Sequence, residues 1–122
     1  MTKVRIIVAG GRDFYDHSLL SSNLDRIISE DFASDEIIIV SGVAPGADRE
    51  GETYAKRKGY SIHQFPAKWV IHGSAAGPIR NEEMAKNADV LVAFWNDLSP
   101  GTKNMIEVAK KYGLKTYIVR YN

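Results

Sequence analysis

The chain contains no cysteine, which excludes disulfides and thiolate metal sites and fits a cytoplasmic location. It has almost no excess of either charge: 16 Lys and Arg against 15 Asp and Glu give a formal net charge of +1. A nucleic-acid-binding domain usually carries a strong basic excess or a clustered basic stripe, so nucleic acid is not the expected partner. The closest approaches, Lys56-Arg57-Lys58 and Lys110-Lys111, fall near helix ends, where cations complement the helix dipole. No apolar run approaches the roughly 20 residues of a membrane-spanning helix. Met1-Thr2-Lys3 leads into the first strand with no secretory signal, so no membrane partner is expected. The G-x-G-x-x-G fingerprint, the Walker A pattern and G-x-S-x-G are all missing. His17, His63 and His72 share no ligand spacing, and neither a metal nor a cofactor is expected.

What is there has the length of one domain, 1–122, with the 44% hydrophobic and 25% charged composition of an ordinary globular protein. Val4–Ala9, Ile37–Val40, Ser61–Phe65, Asp89–Trp95 and Thr116–Val119 read as strands. Helices are expected over 17–31, with Asp16 or Ser18 as N-cap, over 48–58 stopping at Gly59, and from Pro78 to Asn87. A last helix opens at Pro100-Gly101, with Met105, Val108, Ala109 and Tyr112 as its inward stripe. The stretch from Pro66 to Pro78 has no clear period and reads as a loop. Five such alternations imply an α/β fold: one Rossmann-like, doubly wound, parallel five-stranded sheet with helices on both faces, in an order such as 3-2-1-4-5.

Four glycine-bearing turns punctuate the chain: G-G-R-D-F at 10–14, S-G-V-A-P-G-A-D at 41–48, G-P-I-R-N at 77–81 and S-P-G-T-K at 99–103. At helix starts on one edge of a parallel sheet they would line one cleft, whose backbone N–H groups favour phosphate-bearing ligands. Gly10 and Gly11 would let a ligand approach the backbone, and Arg12 could fork onto a phosphate, unless it pairs with Asp13 or Asp16. Ser41, Gly42 and Gly46 make a small donor-rich turn. Asp48 suits a helix N-cap; against a ligand it would take a ribose hydroxyl or base N–H. Arg80 opposes the dipole at a helix start, a broken local rule that marks it as a phosphate anchor with Asn81 beside it; a salt bridge to Glu83 or Asp48 is the structural alternative. Gly101 and Thr102 offer donors at the last helix start. Trp95, and similarly Trp69, could form an aromatic lip for a base.

Together G-G-R-D-F, S-G-V-A-P-G-A-D, A-G-P-I-R-N-E-E-M and F-W-N-D-L-S-P-G-T-K-N-M-I-E resemble a small bacterial and phage family within the SLOG superfamily, named for the DNA-processing Smf/DprA proteins and the LOG proteins. The resemblance covers nearly the whole chain. It implies a Rossmann-like domain that binds a nucleotide or nucleotide-derived molecule, often as a sensor, and that commonly pairs, so a homodimer is expected. LOG relatives are phosphoribohydrolases that cleave the base from a nucleoside 5′-monophosphate. Their P-G-G-x-G-T-x-x-E motif carries a catalytic Glu three residues after Thr, where this chain has Met105. An N-glycosidase would have to use Asp48, Asp13 or Glu107 as its carboxylate. DNA-processing relatives share the Ser-Gly-x-Ala-x-Gly-x-Asp turn, but the basic and aromatic groove that single strands require is missing here. The leading expectation is therefore binding, for sensing or sequestration, without turnover.

Overall fold

The computed structural model describes residues 2–122. Its elements are β1 (Lys3–Gly10), α1 (His17–Asp31), β2 (Glu36–Ser41), α2 (Ala47–Lys58), β3 (Ser61–Gln64), α3 (Trp69–His72), one 3-10 turn (Gly73–Ala75), α4 (Ala76–Lys86), β4 (Val90–Trp95), α5 (Pro100–Lys111) and β5 (Lys115–Arg120). All neighbouring strands pair in parallel, in the order β3-β2-β1-β4-β5. Ile37–Val40 of β2 and Val90–Phe94 of β4 are buried throughout, as central strands covered on both faces must be.

Two apolar clusters flank the sheet. On one face Leu20, Leu24 and Ile27 of α1, with Tyr54 and Ala55 of α2, pack on Ile6, Val8, Ile39 and Val92. On the other, Met84 and Ala85 of α4 and Met105, Ile106 and Ala109 of α5 pack on Ile7, Val40, Leu91 and Ala93. The alternation Ile6/Ile7/Val8 along β1 divides its side chains between these clusters, which is the period of two of a strand. Asp16 caps α1, its Oδ1 accepting from the Leu19 N–H at 3.0 Å. Gly59 ends α2 in the left-handed region at φ 75°, a conformation glycine adopts without a Cβ clash.

The structure departs from the sequence reading in two places. The expected loop after β3 is helical over most of its length, so α4 begins at Ala76 and the G-P-I-R-N segment lies inside it. No strand gives way to a helix there. Tyr112 is also not part of the inward stripe of α5: it is exposed, and its hydroxyl donates to Glu82. Ile106 takes the buried place instead.

Candidate functional site

The chain leaves β1 for α1 on one face of the sheet and leaves β4 for α5 on the other. Where two adjacent parallel strands send their helices to opposite faces, a crevice opens beyond their carboxyl ends. A cavity of about 540 Å³ lies there, within the range of small-molecule sites. Strand β1 contributes Ala9 and Gly10, and the following turn Arg12; the 41–48 segment contributes Ala44 and Asp48. The opposite wall is Trp69, Ser74, Gly77, Pro78, Arg80 and Asn81. The start of α5 closes it with Ser99, Pro100, Gly101, Thr102 and Asn104. A side cavity of about 190 Å³ shares Arg12, Ala44, Trp69 and Arg80 with the first and adds Gly42 and Val43.

Ser99 caps α5, its hydroxyl oxygen accepting from the Thr102 N–H at 3.4 Å and the Thr102 hydroxyl at 3.0 Å. The positive end of α5 therefore meets the cavity. Arg80 is held from two sides: Nη1 donates to the Gly42 carbonyl, and Nε donates to Asn81 Oδ1 at 3.0 Å. Burial lowers its pKa, the Asp48 carboxylate opposes that, and the like charge of Arg12 adds to it. Arg12 is exposed and makes no ion pair among the described residues, with Asp13 or Asp16 or any other acid.

Asp48 is buried at 6% exposure. Burial pushes its pKa up to about 6, against the Ala44 N–H bond and the Arg80 charge that favour the carboxylate. Glu52 adds a smaller upward push, and Arg12 a still smaller downward one. The N-cap of α2 is Gly46, not Asp48, whose Oδ2 instead accepts from the Ala44 N–H at 3.2 Å. The carboxylate reaches back across the turn because it sits inside the first helical turn, one position past Ala47. A Cβ added at Gly42 would stand 2.6 Å from Arg80 Nη1 and 2.7 Å from Asp48 Oδ2. Gly42 is thus the gap through which this cation and carboxylate approach each other.

Of the residues singled out from sequence, Gly10, Arg12, Asp48, Trp69, Arg80, Asn81, Gly101 and Thr102 line the main cavity, and Gly42 the side cavity. The others are occupied elsewhere. The space a side chain would need at Gly11 is filled by the Tyr121 hydroxyl. Gly46 packs on the backbone of Gly11 and Arg12. Buried Ser41 donates to Glu52 at 2.6 Å and accepts from the Val43 N–H at 3.1 Å. That pair steadies Val43, a β-branched residue at φ 66°, a costly conformation that needs such support. Trp95 does not line the cavity; its indole N–H donates to the Ser99 carbonyl at 3.2 Å, and the Arg120 guanidinium lies over its ring. Asp13 accepts from the Tyr121 hydroxyl at 2.7 Å beside a separate surface hollow, and Glu107 is exposed outside the cavity. Arg80 sits in the second turn of α4, so its place at the site does not come from a conflict with the helix dipole.

The sequence reading missed Ser74, Ser99 and Asn104, and gave Trp69 second place to Trp95. Trp69 and Ser74 fall in the aperiodic stretch whose helical turns carry no amphipathic mark. Ser99, immediately before Pro100, had a readable N-cap signature. Asn104 had none, since its position follows only from how α4 and α5 pack together.

Comparison with known proteins agrees with this architecture. The family model described as YspA, cpYpsA-related SLOG family matches residues 4–72. Gene 61 protein of Mycobacterium phage D29 is 30% identical over 117 residues, covering 90% of this chain and 91% of the phage protein. The matched region contains β1 to α3 and both turns that bring Arg12 and Asp48 to the cavity. The likeness to the phage relative takes in most of the chain, and the chain, a parallel α/β domain of a kind that occurs in phages, belongs to the YspA, cpYpsA-related SLOG family.

Proposed function

We propose that residues 1–122 form a single binding domain that holds a nucleotide or nucleotide-derived ligand in the cavity between β1 and β4, for sensing or sequestration. SLOG membership suggests a nucleotide-related ligand. The observation that carries the reading is the pairing of two guanidinium groups with a helix N-terminus around one cavity of about 540 Å³. Arg12 and Arg80 neutralise phosphate, the start of α5 donates to it, and Trp69, half exposed on the rim, offers a face for a base. Asp48 repels phosphate and takes a ribose hydroxyl or a base N–H instead. Native mass spectrometry of protein purified from cells tests this directly. A co-purified mass matching a nucleotide supports the reading; apo protein that also ignores added nucleotides in calorimetry sinks it.

Asp48 also favours a second reading, an N-glycosidase acting on a nucleoside 5′-monophosphate. A buried carboxylate titrating near 6 beside a cavity is a fit general acid or base. It is the only one of the three carboxylates considered from sequence that lines the cavity. Binding remains the primary reading because Met105, at the place of the LOG glutamate, is 1% exposed in the apolar cluster under α5. Pairing of two copies extends the same reading and is supported by the exposed apolar strip of Val70 and Ile71 on α3 with Ile79 nearby on α4. Light scattering after size exclusion decides it, and a monomer at tens of micromolar rules it out.

A further inference from the structure

Asn104 has no role in the sequence reading, and its amide orientation is fixed by elimination. Arginine can only donate, so the Asn81 atom facing Arg80 Nε at 3.0 Å must be the carbonyl oxygen. The Asn81 amide nitrogen therefore faces the other way. It donates to the Gly101 carbonyl at 3.4 Å, an obligate acceptor, and to Asn104 at 2.9 Å. The Asn104 atom meeting it is then the oxygen, and the Asn104 NH2 is left at the cavity that Asn104 lines, with no acceptor among the described residues. Asn81, the middle member of the relay, is 5% exposed, while Arg80 and Asn104 at its ends are half-buried.

We infer that Asn104 is a ligand-contacting, specificity-determining residue, whose side-chain NH2 donates to an acceptor atom of the bound nucleotide. This rests on the nucleotide-binding reading of the cavity and adds a polarity to it. The Arg80–Asn81–Asn104 relay presents a donor that cannot flip to an acceptor, because a flip would set two NH2 groups or two oxygens against each other somewhere along the chain. Asp48 presents the acceptor in the same cavity. The ligand must accordingly offer an acceptor to Asn104, either a base carbonyl or ring nitrogen or a phosphate oxygen. A site built to make such a bond rejects a ligand lacking the partner group.

Two variants separate contact from scaffolding. Asn104→Asp keeps an oxygen for the Asn81 N–H and replaces the free donor with an acceptor. Asn104→Ala removes the donor without adding charge. Affinity is measured by calorimetry with the four ribonucleoside 5′-monophosphates, and with the nucleoside of the tightest binder, while melting temperature reports folding. Both variants are expected to weaken the tightest nucleotide about ten- to hundredfold, the size of one lost or unpaired buried hydrogen bond. A loss that persists for the nucleoside assigns the acceptor to base or sugar; a loss seen only with the phosphate present assigns it to phosphate. Loss in Asn104→Asp alone would be charge repulsion at a distance, and loss in Asn104→Ala alone would be a scaffold effect through Asn81; either overturns the contact. If the unmodified protein binds none of the probes, the nucleotide reading itself fails, and this assignment with it.

Discussion

Two cations and one carboxylate share the cavity, and they are tied to the fold to different degrees. Arg12 makes no ion pair among the described residues, whereas Arg80 occupies the Gly42 carbonyl and Asn81. Arg12→Ala is therefore expected to weaken a phosphorylated ligand by about 1.5–3 kcal/mol, the worth of a hydrogen bond to a charged group, with little change in melting temperature. Arg80→Ala should cost as much affinity and also lower the melting temperature, since it leaves two acceptors unpaired. Calorimetry beside thermal melts checks both; unchanged affinity in both variants would make the arginines structural. Asp48 gives a prediction with a pH signature. Its pKa is raised from 3.8 to about 6 in the fold, so its contribution to stability is fully present below 3.8 and is lost as pH rises through about 6. Asp48→Asn, whose oxygen can still accept from the Ala44 N–H, should be more stable than the parent at pH 7, by an amount on the order of 2 kcal/mol, and equal to it near pH 3. Chemical denaturation at both pH values measures the gap. A gap of the same size at both would mean that Asp48 is not held against its own ionisation.

At the scale of elements, the turn from β2 into α2 combines backbone strain with side-chain hydrogen bonds to its own backbone. Val43 at φ 66° and Gly46 at φ 84° lie three residues apart, braced by Ser41, Glu52 and Asp48. Gly46 also abuts the Gly11 carbonyl and the Arg12 backbone. Gly46→Ala should therefore act on folding, lowering stability by more than about 1 kcal/mol, the minimum for a strained positive φ, and displacing the Arg12 turn. A variant with wild-type melting temperature would show that the close packing relaxes freely. The strands and the helices, apart from α3 and the first two residues of α4, were legible because β-branched runs, a 3.6-residue period and terminal glycines mark them locally. The segment from Trp69 to Gly77 was not, since its turns are held by tertiary placement rather than by an apolar stripe. The same reason hid Trp69 and Ser74. Glycines divide: Gly10 lines the cavity, whereas the space beside Gly11 and Gly46 is filled by other parts of the chain.

For the whole molecule, the strand order explains why residues as distant as Arg12 and Asn104 share one cavity, and it also bears on chemistry. Parallel crossovers bring the starts of α2 and α5 to the same edge, so a ligand there meets fixed donors and cations on several sides. Such donors stabilise a bound ground state and a transition state about equally, which tightens binding without accelerating bond cleavage. Cleaving a base from a nucleotide requires in addition a carboxylate aimed at the anomeric carbon or its water. Met105 supplies none at the LOG position, Asp13 and Glu107 lie outside the cavity, and Asp48 alone is in place. Negligible release of free base is expected from adenosine or guanosine monophosphate under conditions where binding is measurable. Chromatography of overnight incubations reads it, with Asp48→Asn and Glu107→Gln run in parallel. Base release that persists in Glu107→Gln and vanishes in Asp48→Asn would replace the binding reading with a hydrolase working through Asp48. Release that vanishes in Glu107→Gln would instead require α5 to turn an exposed face toward the ligand, against the burial of Met105, Ile106 and Ala109 beneath it.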